Sequence, residues 1–179
     1  MSDVTHSLIA HATSNEHKKI SGGELGDQSG YELCACTWFD AGWTAVYAAQ
    51  DPEKLERMAQ FAEDAVTNGF FGYSQNRDYR ERFIRQCKLH DFQPDLVNIN
   101  RVCDCSTLIY GAVFAAYGVK YTTDYATPPT TEVFDGYLMN QFPKGTFVKY
   151  EKGDDYDLGP DNLARGYSLF KPGHIAIWI

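Results

Sequence analysis

The chain has 179 residues and a formal net charge of −8 at pH 7; 44% of its residues are hydrophobic, 15% aromatic and 22% charged. That length fits one domain with one core, residues 1–179, and the composition excludes disordered, collagen-like and low-complexity architectures. The acidic balance excludes nucleic acid as the main partner, because phosphate tracking needs clustered Lys and Arg, while the aromatic surplus suits a groove for a polymeric ligand.

His and Asp residues interrupt residues 1–19 where a signal peptide needs an unbroken apolar segment. No later stretch is long enough to span a bilayer, so the sequence predicts a chain made in the cytosol without membrane insertion. Its five cysteines, at 34, 36, 87, 103 and 105, leave one over from any full pairing and are expected to stay reduced. The two C-x-C pairs lack the two-to-four-residue spacing of common structural zinc sites, so no metal and no cofactor is expected. Cys34, Cys36 and Cys87 read as small buried hydrophobes.

In chain order, residues 4–12 form a short apolar segment expected to be helical. A glycine-rich turn region follows, containing the block GDQSGYE from Gly26 to Glu32. Asp51 then offers an N-cap and Pro52 a first helical position. Leu55, Met58, Ala59, Ala62 and Val66 recur at helical spacing, and Gly69 is expected to close the helix. A second helix is predicted from Asp78 to His90, with Tyr79, Phe83 and Cys87 on one stripe. A third begins near Cys105 with Asp104 as N-cap. It carries Leu108, Ile109, Ala112, Val113 and Ala116 and has Gly118 as a left-handed stop. Thr130 or Thr131 caps a short helix carrying Val133, Phe134, Tyr137 and Leu138. Residues 146–151 and 174–179 read as strands, with an acidic loop, GDDYDLGPDN, between them. Helices first and strands last predict an α+β domain.

A cysteine in the first turn of a helix faces unsatisfied backbone N–H groups, which favour the thiolate. Cys105 there is a candidate nucleophile whose attack on a carbonyl would place the oxyanion near donors of the same turn. The other reading is that Cys105 only packs. Such a nucleophile needs a base that later protonates the leaving amine. His174, the only histidine downstream, opens a strand and is the candidate; the other reading is a surface histidine. His6, His11, His17 and His90 lie in polar segments, have no metal-ligand spacing and read as mostly solvated.

The segment CDCSTLIYGAVFAAYG, residues 103–118, resembles the D-C-S-x-L nucleophile helix of NlpC-type, papain-like cell-wall peptidases. More narrowly, the chain is similar to bacteriophage peptidoglycan amidohydrolases. Gly26 to Glu32 match a G-D-Q-T-G-x-E block, and Trp38, Phe39 and Trp43 match its W-Y and W positions. Gly72, Tyr73 and Gln75, with Arg77 or Asp78, match a G-Y-x-Q-x-x-R stretch. Segments around Thr131 and Phe147 and the final FKPGHIAIWI continue the likeness. The resemblance implies a papain-like α+β fold, with the nucleophile helix packed on a small antiparallel sheet. It also implies cleavage of an amide in bacterial peptidoglycan, either N-acetylmuramoyl-L-alanine or a bond within the stem peptide, by a phage lysin or a tail-associated lysin. It assigns Cys105 as nucleophile and, in one of two registers, His174 as base, and groups Tyr73, Gln75 and Ser106 as oxyanion or substrate contacts; the other reading of Tyr73 is an aromatic packed beside the helix.

The C-terminal segment fits the family in two registers. In one, His174 replaces an Asp of the penultimate strand and the catalytic strand lies past Ile179, which would make the chain truncated. In the other, His174 is the base and the two usual strands are merged. The alternative from another class is a wall-binding or virion structural module that keeps the fold without turnover.

Overall fold

A computed structural model describes residues 8–14, 19, 25, 32–118, 129–153 and 156–179. Three strands come first, β1 (Leu8–Ala12), β2 (Leu33–Thr37) and β3 (Ala45–Ala49). With β6 (Phe147–Glu151), β7 (Ser168–Lys171) and β8 (His174–Trp178) they form a six-stranded sheet in the order β2-β1-β8-β7-β3-β6. Every neighbouring pair with a defined register is antiparallel. The expected α+β class holds, but half the sheet comes from the N-terminal third of the chain, and the sheet is larger than the small one expected.

The predicted helix over residues 4–12 is corrected: Leu8–Ala12 is a strand, and residues 4–7 lie outside the described residues. β1 is flanked by β2 on one side and β8 on the other, so its backbone groups are satisfied by ladders, which overrides the local preference of a short apolar run. Of the GDQSGYE block, Gly26–Tyr31 lie outside the described residues, and Glu32 is buried.

Of the four described helices, the first, third and fourth lie on one face of the sheet, and the second packs on the third and on a short parallel pair of strands. α1 (Pro52–Thr67) starts as the sequence predicts, with the Asp51 carboxylate accepting from the Glu53 N–H. Its C-cap is Asn68, one residue before the expected glycine, because Asn68 anchors the exit. Its amide donates to the Pro94 and Val97 carbonyls at 2.7 and 2.8 Å and its oxygen accepts from the Phe70 N–H. α2 (Arg77–Leu89) is capped by Asn76, and α4 (Thr131–Asn140) begins after Thr130. α3 (Cys105–Tyr117) has Asp104 as N-cap and ends at Gly118 with φ 72°, both as predicted. It is apolar nearly all round, the pattern of a helix buried on every side. Gly111 faces α1 so closely that a Cβ there would lie 2.5 Å from the Phe61 ring.

Strand alternation divides the core. Ala10, Ala12, Ile175 and Ile177 pack with the helices, whereas Ile9, Trp43, Val46, Leu169, Ala176 and Trp178 form a second cluster on the far face. A short parallel pair, β4 (Phe71–Tyr73) with β5 (Arg101–Cys103), feeds the start of α3.

Candidate active site

Cys105 is placed by three elements. β5 ends at Cys103, and Asp104 turns the chain and caps α3 by accepting from the Thr107 N–H at 2.8 Å. The parallel register pairs Tyr73 with Cys103, which lays Tyr73 beside the start of the helix. β8 closes the third side, where the Ile175 backbone N–H is directed at the thiol, as is that of Ser106. Cys105 is only 7% exposed.

Beneath it Arg80 reaches up from α2, itself 6% exposed. Its guanidinium pairs with the Asp104 carboxylate at 3.1 Å and donates to the Thr107 and Ser106 hydroxyls and the Pro129 carbonyl. The Ser106 hydroxyl in turn donates to Asp104 at 3.0 Å. That hydroxyl is engaged within this network, so the group Ser106 directs at the Cys105 sulfur is its backbone N–H.

Lys171 pairs with His174 across a two-residue turn, Pro172–Gly173, in which Gly173 has φ 80°. β7 and β8 are therefore the two arms of a hairpin, and His174 opens the second of them. Its ring stacks on Trp43 with centroids 5.8 Å apart.

His11 is the residue that sequence reasoning missed. Expected to be solvated, it is 5% exposed, since β1 is flanked by β2 and β8. Its Nδ1 lies 3.2 Å from His174 Nε2, and its Nε2 lies 3.4 Å from the Cys36 sulfur. The signal was available: His11 is the one polar residue in the apolar run LIAHA.

A cavity of about 380 Å³ brings Cys105, His174, His11, Tyr73 and Gln75 together. Cys105 and His174 meet across this cavity rather than through a direct hydrogen bond. A second cavity, of about 200 Å³, adjoins it along Arg80, Asp104 and the start of α4. Gln75, Cys105 and Gly173 line both. Gln75 donates to the Tyr73 oxygen at 3.0 Å, which leaves the phenolic O–H to point elsewhere. Burial, and then the neighbouring Cys105, raise the Tyr73 pKa, so Tyr73 keeps that proton.

The electrostatics correct one expectation. Burial and the adjacent Asp104 carboxylate push the Cys105 thiol up to about 12, outweighing the Ile175 and Ser106 N–H groups and Arg80, which act in the opposite sense. The resting side chain is a thiol. Burial likewise lowers His174 to about 4, helped by His11 and Lys171, and burial lowers His11 to about 4, so both imidazoles are neutral at pH 7. The unfolded chain takes up these protons near the ordinary histidine value of 6.5, whereas the folded chain does so only near 4. The stability that the neutral imidazoles contribute is complete above pH 6.5 and is lost as pH falls through 4. Each imidazole costs roughly 3 kcal/mol once both states are protonated. Urea denaturation is therefore expected to give a lower midpoint at pH 4.5 than at pH 7.5, and equal midpoints would contradict the buried neutral pair.

Among the described residues, no group of three or more His, Cys, Asp or Glu side chains is arranged to hold a metal ion. No described helix is long and apolar enough to cross a membrane.

No curated protein and no solved structure matches the chain. A family model described as the endolysin-like domain matches residues 9–179, a span that takes in both histidines, Tyr73, Gln75 and Cys105. The chain belongs to the endolysin-like domain family.

Proposed function

We propose that the protein is a phage-lysin-type peptidoglycan hydrolase that cleaves an amide of the bacterial wall, N-acetylmuramoyl-L-alanine or a stem-peptide bond. Cys105 is the nucleophile and His174 the base, in a papain-like arrangement of a helix N-terminus set against a strand. The observation that carries this reading is the single cavity that Cys105 and His174 share, with Tyr73 and Gln75 on its wall. The family match supports the wall as the target.

His174 Nε2 is occupied by His11, so only Nδ1 remains to take a proton from the thiol. That requires the tautomer in which His174 Nε2–H donates to His11 Nδ1 and His11 Nε2–H donates to the Cys36 sulfur. His11 then orients the base as a neutral acceptor. As the sulfur attacks the amide carbonyl carbon, its proton moves to His174 Nδ1 and the carbonyl oxygen becomes an oxyanion. The Tyr73 O–H stabilises that oxyanion. Collapse breaks the C–N bond, and the imidazolium returns its proton to the departing amine, leaving a thioester. Water attacks the thioester, giving one proton to His174, and the carboxylic acid leaves as the thiol is restored. A neutral thiol beside a neutral imidazole makes proton transfer part of the attack, unlike a preformed ion pair.

The test is a digest of purified cell walls by the protein and by its Cys105→Ala variant, with new amino and carboxyl termini counted. One amine and one carboxyl released per cut by the parent alone is the expected result. Equal release by both proteins sinks the assignment, and new reducing sugar ends without amines would make the enzyme a glycosidase.

A further inference from the structure

The cavity of about 380 Å³ and the smaller one of about 200 Å³ share Gln75, Cys105 and Gly173, so the cleft has two lobes of different chemistry that adjoin at Cys105. The following step rests on the hydrolase reading above. A base that takes the thiol proton must hand it to the departing amine, so the amine component lies in the lobe that contains His174. The acyl component occupies the other lobe, along Arg80, Asp104 and Glu132.

The described residues lining the His174 lobe include His11, Phe39, Tyr73 and Lys171. With both histidines neutral, Lys171 carries the only permanent charge among them. Its ammonium donates to the Ala41 carbonyl at 2.7 Å and lies over the Trp43 ring at 5.8 Å. Both contacts fix the ammonium without neutralising it, and an ammonium with three donors keeps others for a ligand. In the smaller lobe Arg80 and Asp104 form an ion pair, which leaves the exposed Glu132 carboxylate as a net negative charge among the described lining residues. The cleft is therefore polarised along its length, positive where the amine component sits and negative where the acyl component sits.

We infer that Lys171 is a specificity-determining residue that binds a carboxylate on the amine component released by hydrolysis. The rest of the molecule makes this local charge more important: with a net charge of −8 the protein offers a carboxylate no general attraction, so an ammonium fixed in the cleft must supply it. The Glu132 side disfavours the same carboxylate, which sets the direction in which the stem peptide lies across the thiol.

The experiment measures binding and needs no turnover. The peptides L-Ala–γ-D-Glu–L-Lys–D-Ala and L-Lys–D-Ala are the amine products of cleavage at the lactyl amide and within the stem. Each is titrated by calorimetry in two forms, with free carboxylates and with every carboxyl amidated. The protein is expected to bind the carboxylate form of at least one peptide about tenfold or more tightly than its amide, the size of a charge-assisted hydrogen bond. Lys171→Met should bring that ratio to about one, Lys171→Arg should keep it, and Lys171→Glu should invert it. Equal binding of the two forms, a preference that survives Lys171→Met, or no measurable binding of either carboxylate form overturns the assignment. If the preference is found while Cys105→Ala still cuts the wall, the hydrolase mechanism fails and the carboxylate site stands. If cleavage depends on Cys105 and no preference exists, only the role of Lys171 fails.

Discussion

Cys105→Ala and His174→Ala are each expected to lower kcat/KM for wall-amide hydrolysis by about 10³-fold or more, and the double variant should lose little beyond the worse single one. The non-additivity follows from proton transfer. Burial and Asp104 hold the Cys105 thiol near 12, so in the proposed mechanism it attacks only as His174 removes its proton, and without either partner the other has nothing to do. His11 acts one step further out. It touches His174 Nε2 at 3.2 Å and lines the same cavity, and in the proposed mechanism it serves as an acceptor and not as the base. His11→Ala should therefore cost less than His174→Ala, and His11→Asn, which retains an acceptor oxygen, should recover part of the loss. Steady-state kinetics on a soluble muropeptide, with circular dichroism to verify folding, decide the matter. A His174→Ala variant within a few-fold of the parent removes His174 as base, and if His11→Ala is then inactive, the base is His11.

The pH profile separates this neutral pair from a thiolate–imidazolium pair. With His174 near 4, kcat/KM should fall only on the acid side as pH approaches 4 and stay level through pH 8. A preformed ion pair would instead lose activity as the imidazolium gives up its proton near or above neutrality.

The parts of the structure that the sequence makes legible are those governed by local chemistry. Asp51 before Pro52, Asp104 before Cys105 and Gly118 after Tyr117 each act on a backbone group within a few residues, and each does in the structure what its type predicts. The strands β1, β2 and β3 were hidden for the opposite reason. Three of the five residues in each of LCACT and AVYAA are Ala or Cys, types of modest strand preference, and AVYAA is buried throughout, so it shows no alternation. Their identity comes from partners far along the chain, such as the pairing of Ala10 with Ile177. The same separation hid His11, which meets His174 from the other end of the sequence. Tyr73 and Cys105 were found by motif, and the β4–β5 pairing supplies the physical reason that they are neighbours. The helix-dipole argument at Cys105 was sound locally and failed on burial, which no stretch of sequence displays.

Arg80→Met is expected to destabilise the fold by about 3–5 kcal/mol, a large fraction of a typical domain's stability, although the substitution nearly conserves volume. The Asp104 carboxylate is 7% exposed and its cation is Arg80, so the variant strands a buried charge. The Thr107 and Ser106 hydroxyls and the Pro129 carbonyl lose a partner in the same step. Asp104→Asn alone keeps an oxygen to cap α3 but strands Arg80 instead, whereas the double variant Arg80→Met with Asp104→Asn carries neither charge. It should therefore be more stable than Arg80→Met alone, which identifies the unpaired carboxylate, and not lost packing, as the cause. Urea denaturation of the four proteins measures this cycle. A loss below about 1 kcal/mol for Arg80→Met would mean that water reaches Asp104 and screens it. The same variant bears on catalysis, because Asp104 raises the Cys105 pKa and Arg80 opposes it. With Arg80 gone, the thiol becomes harder to ionise, so any residual activity of the folded variant should fall in kcat more than it rises in KM.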